Sequence, residues 1–197
     1  MNAKMIDVVF EISGGTLPVA YPYELWSELL KFVPQLEADE HAGVVPLRAA
    51  ESKEGMLLPK RAKLAIRTKH ELADEVSVLA HRLLRVAGIE VQLGACKTRP
   101  IQHYPTLHAQ LVTGADDEVA FVAEIESALA AMGVEAKLIC GRRRTLSDGE
   151  RSISGYSLVL HDLNAEGSLQ VQYAGLGGER RFGCGIFVPY KVISGLE

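Results

Sequence analysis

Eleven residues near the carboxyl end, Gly175-Leu176-Gly177-Gly178-Glu179-Arg180-Arg181-Phe182-Gly183-Cys184-Gly185, concentrate the means to hold an anion. Glycine tolerates positive φ and lets another backbone come close. Gly175, Gly177, Gly178, Gly183 and Gly185 therefore predict a tight loop of exposed amides, with Arg180 and Arg181 at its tip. Amides and guanidinium forks converging on one place suit a phosphate or a nucleic-acid backbone. Proton transfer needs a further group, and an imidazole titrates near neutral pH. Six histidines are available, at positions 41, 70, 81, 103, 108 and 161.

Arg142, Arg143 and Arg144 form a second cationic run, and Arg151 follows the nearby Ser147-Asp148-Gly149 turn signal. On adjacent positions of a strand, Arg142 and Arg144 share a side and Arg143 opposes them. Such an arm suits phosphate contacts along a folded RNA, or equally a solvated edge that charge protects against strand pairing. Lys60, Arg61, Lys63 and Arg67 carry the same reading more weakly. The formal net charge is −4, so positive charge is local, with carboxylates gathered at Glu37, Asp39 and Glu40 and at Asp116, Asp117 and Glu118. A patchy distribution permits a basic groove on an acidic body.

Alternation and helical periodicity outline the elements that must carry these groups. Ile6 to Ile12 reads as a strand. Leu25, Trp26, Leu29, Leu30 and Val33 share one helical face, opened by Pro22 and stopped by Pro34. A polar, acid-rich loop from Gln35 to Gly43 follows and holds His41. Val44 to Leu47, and Leu57 to Ile66, predict a hairpin around Gly55. Leu72, Val76, Leu79 and Leu83 predict a second helix over 72–86, which takes in His81 and is closed by Gly88. Ile89, Val91 and Leu93 then alternate as a strand. This β-α-β-β-α-β order repeats: a strand at Leu107 to Leu111, a helix from Asp117 to Gly133, a hairpin from Ala136 to Leu160, a short helix capped by Asn164, and a last strand at Ile186 to Val188. The fold class expected is α+β, with tandem ferredoxin-like (RRM-like) domains over 1–102 and 103–197.

With 48% hydrophobic residues the chain supports a proper core. The N-terminus lacks an apolar signal region and no run reaches membrane-spanning length, so a soluble, cytoplasmic protein is expected. Cys96, Cys140 and Cys184 are odd in number and widely spaced, which favours neither a disulfide framework nor a zinc site. No cofactor is expected.

The spacing of the glycine stretch resembles that of the Cas6 family, the CRISPR repeat-processing endoribonucleases. Gly175 to Pro189 reproduces Gly-Leu-Gly-Gly-x-Arg-x-x-Gly-Cys-Gly-x-Phe-x-Pro, and Gly14 to Val19 matches Gly-x-x-Leu-Pro-Val of a short subfamily. The resemblance implies metal-independent cleavage of precursor RNA in each repeat. The 2′-hydroxyl attacks the scissile phosphate and leaves a 2′,3′-cyclic phosphate. The protein then stays on the 3′ stem-loop of the guide, among other CRISPR effector subunits. It also implies a histidine after the first helix, a role that falls to His41, with Tyr23 (and Tyr21) as helpers or as packing. The subfamily pattern places an imidazole directly before the proline of Gly-Val-x-Pro, where this chain has Val45 ahead of Pro46. A guide-binding subunit with weak or no cleavage is thus the second expectation. A third is an unrelated ferredoxin-like module for a small anion or a protein.

Overall fold

The computed structural model describes residues 4–52 and 54–190. Two compact units are present. The first takes the chain up to Ile101 together with Leu146–Ile153 and Glu179–Gly183, and the second takes Gln102–Thr145, Ser154–Gly178 and the chain from Cys184 on. Among the described residues no helix is long and apolar enough to cross a membrane.

In the first unit, β1 (Met5–Gly14) is followed by α1 (Tyr21–Phe32), β2 (Gly43–Val45), a small hairpin of β3 (Ala50–Ser52) and β4 (Gly55–Leu57), then β5 (Lys63–Lys69), α2 (Ala73–Ser77), β6 (Leu83–Val86) and β7 (Ile89–Pro100). The sheet order β2-β5-β1-β7-β6 is the ferredoxin-like order with one extra edge strand, β6. Period-two alternation sends Ile6, Val8, Phe10 and Ile12 of β1 into a core shared with Leu25, Trp26 and Leu29 of α1. Pro22 in the first turn of α1 spares an amide that has no helical partner. Met5, Asp7 and Val9 on the other face of β1 are buried as well.

In the second unit, β8 (Leu107–Thr113), α3 (Glu118–Ala131), β9 (Lys137–Ser147), β10 (Ser152–His161), α4 (Ala165–Ala174) and β11 (Val188–Pro189) repeat the pattern. The order is β11-β8-β10-β9, again ferredoxin-like. Asp117 accepts the Ala120 N–H at 2.9 Å and Asn164 the Gly167 N–H at 2.7 Å, so each helix starts on a side-chain cap. Both domains therefore have the α+β, tandem ferredoxin-like architecture expected.

The helix expected over 72–86 is a correction. Only Ala73–Ser77 is α-helical, and turns then carry the chain through His81, whose φ is 63°. Leu84 and Val86 point inward from β6, while Leu83, assigned above to a buried helical stripe, is exposed. Ala87 and Gly88, both at positive φ, form a two-residue turn into β7. The second correction concerns Gly55. The expected pairing of Val44 with the Leu57–Ile66 stretch is present, β2 with β5 and Val44 opposite Ile66, but Gly55 begins β4 of a separate small hairpin between them.

Candidate functional site

The expected site residues divide between the units. His41, Tyr23, Arg151, Arg180, Arg181 and Gly183 fall in the first; Arg142, Arg143, Arg144, Gly175, Gly177, Gly178 and Gly185 fall in the second.

His41 sits in a turn, not an open loop. After α1 a 3-10 turn over Pro34–Ala38 delivers Asp39, whose backbone carbonyl accepts the Ala42 N–H at 2.9 Å. The Asp39 carboxylate is buried against β5. It accepts from the Thr68 hydroxyl and the Lys69 N–H, each at 3.0 Å, and from the His41 N–H at 3.1 Å. Lys69 Nζ stands 3.7 Å away. The His41 imidazole remains 39% exposed, with Nε2 3.7 Å from Glu40 Oε1. Directly after the turn, Gly43 enters β2 opposite Arg67.

The segment Glu179–Gly183 lies against this turn. Glu179 is left-handed at φ 60°, Arg180–Phe182 form a 3-10 turn, and Gly183 closes it at φ 90°. A Cβ on Gly183 would stand 3.0 Å from the Val44 carbonyl oxygen, so this glycine permits close approach to β2. Arg180 is only 5% exposed, and its Nε donates to the His41 carbonyl at 3.0 Å. Burial, and then the nearby Arg67, push its pKa down to about 10, against the opposing pull of Asp39 and Asp7. The expectation that both arginines face outward is therefore corrected. Arg180 turns into the protein, because the 3-10 turn aims successive side chains to different sides. Arg181 is 49% exposed and lies 3.2 Å from Glu179 Oε2. A cavity of about 230 Å³ opens beside them, lined by Trp26, Leu36, Glu37, Glu40 and Ala42 together with Asp39, Glu179, Arg180 and Arg181.

Tyr23 is buried, and its hydroxyl donates to the Leu146 carbonyl at 3.0 Å. Phe182 packs on its ring at 4.7 Å between centroids, and the Arg151 guanidinium covers it at 4.2 Å. Arg151 is itself held by Asp148 at 2.7 Å. The geometry makes Tyr23 the packing centre of this corner. Below the turn runs an ionic group that sequence reading passed over. Asp7 lies in register between Arg67 on β5 and Arg99 on β7. Its carboxylate accepts from Arg67 Nε at 2.8 Å and from Arg99 Nη2 at 3.2 Å. Arg67, offered above as a surface cation, is 2% exposed. The signal was present in the pattern, since Asp7 interrupts an apolar strand as a buried carboxylate needing a partner.

In the second unit the glycines serve the loop itself. Gly175 donates its N–H to Val171 O at 2.8 Å, Gly178 to Thr113 Oγ1 at 2.6 Å and Gly185 to Leu111 O at 2.8 Å. Gly183, in the first unit, donates to Arg180 O at 2.8 Å. A Cβ on Gly177 would lie 2.6 Å from Thr113 O. The open cradle of amides expected from the sequence is thus replaced by a loop in which the Gly175, Gly178, Gly183 and Gly185 amides bond inward. Along β9, Arg143 is tied to Asp116, donating to its carboxylate and its carbonyl, both at 2.7 Å. Arg142 and Arg144 are exposed. Of the remaining histidines, His70, His81 and His103 are exposed, His108 lies 5.7 Å from the Tyr190 ring, and His161 stands 3.6 Å from Asp162.

Two ferredoxin-like units carrying a C-terminal glycine loop define a class of fold seen in solved structures. One, "Characterization of a Cas6-related gene from Pyrococcus furiosus", aligns with a TM-score of 0.68 at 12% identity, covering 93% of this chain and 98% of that one. Another, "An RAMP protein binding different RNA substrates", aligns at 0.69 and 13% identity, covering 92% and 98%. A third, "Structure A of CRISPR endoribonuclease Cse3 bound to 19 nt RNA", aligns at 0.55 and 15%, covering 94% and 98%. At sequence level the family model described as "Cas6 Crispr" matches residues 6–192. The "CRISPR-associated endonuclease Cas6" of Myxococcus xanthus (strain DK1622) is 38% identical over 93% of this chain and 81% of its own length. The chain belongs to the Cas6 family.

Proposed function

We propose that this chain is an endoribonuclease that cleaves CRISPR precursor RNA within the repeat. The observation that carries the reading is the 38% identity, over nearly the whole chain, to a CRISPR-associated endonuclease. The step needs no metal. The ribose 2′-oxygen attacks the adjacent phosphorus as its proton passes to a base, and the 5′-oxygen leaves as an acid protonates it. The products carry a 2′,3′-cyclic phosphate and a 5′-hydroxyl. His41 serves one of the two proton transfers, a role supported by an exposed imidazole on a turn fixed to β5. Arg142 and Arg144 contact phosphates of the repeat stem, which their exposure supports. Arg181 and Arg151 contribute charge from the first unit. The product stem-loop stays bound, and the protein works in the cytoplasm as one subunit of an interference complex.

Val45, standing where the family resemblance places an imidazole, supports a second reading: a guide-binding subunit with little cleavage. One assay separates the two. A labelled repeat RNA incubated with the protein in EDTA is expected to be cut once, near the stem base, leaving a cyclic phosphate end. His41→Ala is expected to slow that cut by about 10²–10⁴-fold while RNA binding persists. Binding with no cut by the unmodified protein establishes the second reading instead.

A further inference from the structure

The His41 turn is held from both ends. On its amino side the buried Asp39 carboxylate accepts the His41 N–H and bonds at the same time to the Thr68 hydroxyl and the Lys69 N–H, fastening the turn to the end of β5. On its carboxyl side the His41 carbonyl accepts Arg180 Nε at 3.0 Å. These bonds fix the two peptide planes that flank His41 and therefore the direction of its Cα–Cβ bond. The ring beyond remains exposed. A preorganised proton carrier needs this combination of a held stem and a reachable ring.

Arg180 is poorly placed for the phosphate contact that its sequence context suggests. It is buried, and the cavity on which it borders is also lined by Glu37, Glu40 and Glu179, whose charges repel an incoming phosphate. The neighbouring backbone is shaped to bring Arg180 inward. Glu179 takes a left-handed conformation, and Gly183 lets the turn lie flush against Val44, three residues after His41.

We infer that Arg180 and Asp39 are positioning residues that act through His41, so that the glycine loop sets the geometry of the proton carrier. The inference rests on the proposed role of His41. It assigns to the family's loop arginine at this position a task distinct from gripping RNA: completing the turn after the first helix.

The test is a double-mutant cycle on the full chain, reading single-turnover cleavage and dissociation constant separately with a synthetic RNA carrying one CRISPR repeat. Arg180→Lys keeps the charge but loses the planar guanidinium fork and its Nε donor. Asp39→Asn keeps the shape and loses the carboxylate. Each is expected to lower the cleavage rate by about 10- to 100-fold, the scale of a misplaced catalytic group, with RNA affinity unchanged. In a His41→Ala background neither is expected to lower the residual rate further, because groups that act as a unit are non-additive. Melting curves establish that each variant is folded, and Asp39→Asn carries the test alone if Arg180→Lys is not. Weaker RNA binding by Arg180→Lys with an unchanged bound-state rate makes Arg180 an RNA ligand and overturns the inference. So does an equal loss of rate with and without His41, or a wild-type rate in both variants. Wild-type cleavage by His41→Ala is a different failure: it removes the role of His41 itself, and the positioning role with it.

Discussion

A buried phenol ties the start of α1 to the chain after β2. Tyr21 Oη accepts the Leu47 N–H at 2.9 Å, and burial pushes the Tyr21 pKa up to about 12. An unfolded tyrosine ionises near pH 10. Between about pH 10 and 12 the unfolded chain therefore loses this proton while the folded chain keeps it, and stability falls with rising pH. Below about pH 10 the contribution is complete. Arg180, depressed to about 10, has the opposite slope in this range, but it is common to both proteins when Tyr21→Phe is compared with the unmodified chain. Tyr21→Phe is expected to remove the alkaline decline due to Tyr21. Near neutral pH it is expected to cost about 1–3 kcal/mol, because the Leu47 N–H loses its acceptor. Thermal melts from neutral pH to about pH 12 check this; parallel alkaline decline in both proteins disproves it. At this scale the sequence reveals residue type more readily than residue role. The side-by-side Arg180 and Arg181 look equivalent in the chain, and only the left-handed Glu179 and the 3-10 turn send one inward and leave the other in water.

Glycine-rich segments are easily read as flexible, yet Gly177, Gly183 and Gly185 here leave no room for a side chain. Gly185 has φ 65°, its N–H bonds to Leu111 O, and an added Cβ would lie 2.1 Å from the Leu176 carbonyl oxygen. Gly149, at the tip of the β9–β10 hairpin, also has positive φ, 95°, but nothing stands within 4 Å of its Cβ position. Gly149→Ala is expected to cost only backbone strain, about 1–2 kcal/mol. Gly185→Ala is expected to cost about 1–3 kcal/mol more, through overpacking against a carbonyl that cannot move freely. Urea midpoints of the two variants decide it, and equal losses sink the distinction. Strands, caps and the two-fold repeat were legible because each follows a local rule: alternation in β1 and β8, Asp117 and Asn164 before helices, Asp148-Gly149 at a hairpin. The misread stretch, Leu72 to Val86, satisfies a helical spacing at Leu72, Val76, Leu79 and Leu83 and a strand spacing at Leu84 and Val86. Pairing of β6 with β7, a tertiary choice, settles it.

A chain of net charge −4 that handles RNA must keep its positive charge local, and the exposed β9 arginines are the clearest place for it. Arg142→Ala and Arg144→Ala are each expected to weaken binding to the repeat RNA. Each is also expected to reduce the slope of log affinity against log salt by about 1, as for the loss of one phosphate contact. Arg143→Ala is expected to change both less, since Asp116 already engages that guanidinium. Binding isotherms at several salt concentrations measure this, and identical slopes for all three variants exclude the assignment. The first unit is also discontinuous in sequence, since Glu179–Gly183 belongs to it although most of its residues precede Gln102. On the ribosome, where synthesis runs from the amino end, its sheet strands emerge well before the arginine that secures the His41 carbonyl. A nascent or truncated chain that stops short of Arg180 thus carries the histidine without its fastening, and the turn after α1 is completed only once the strands of the second unit through β10 have been made.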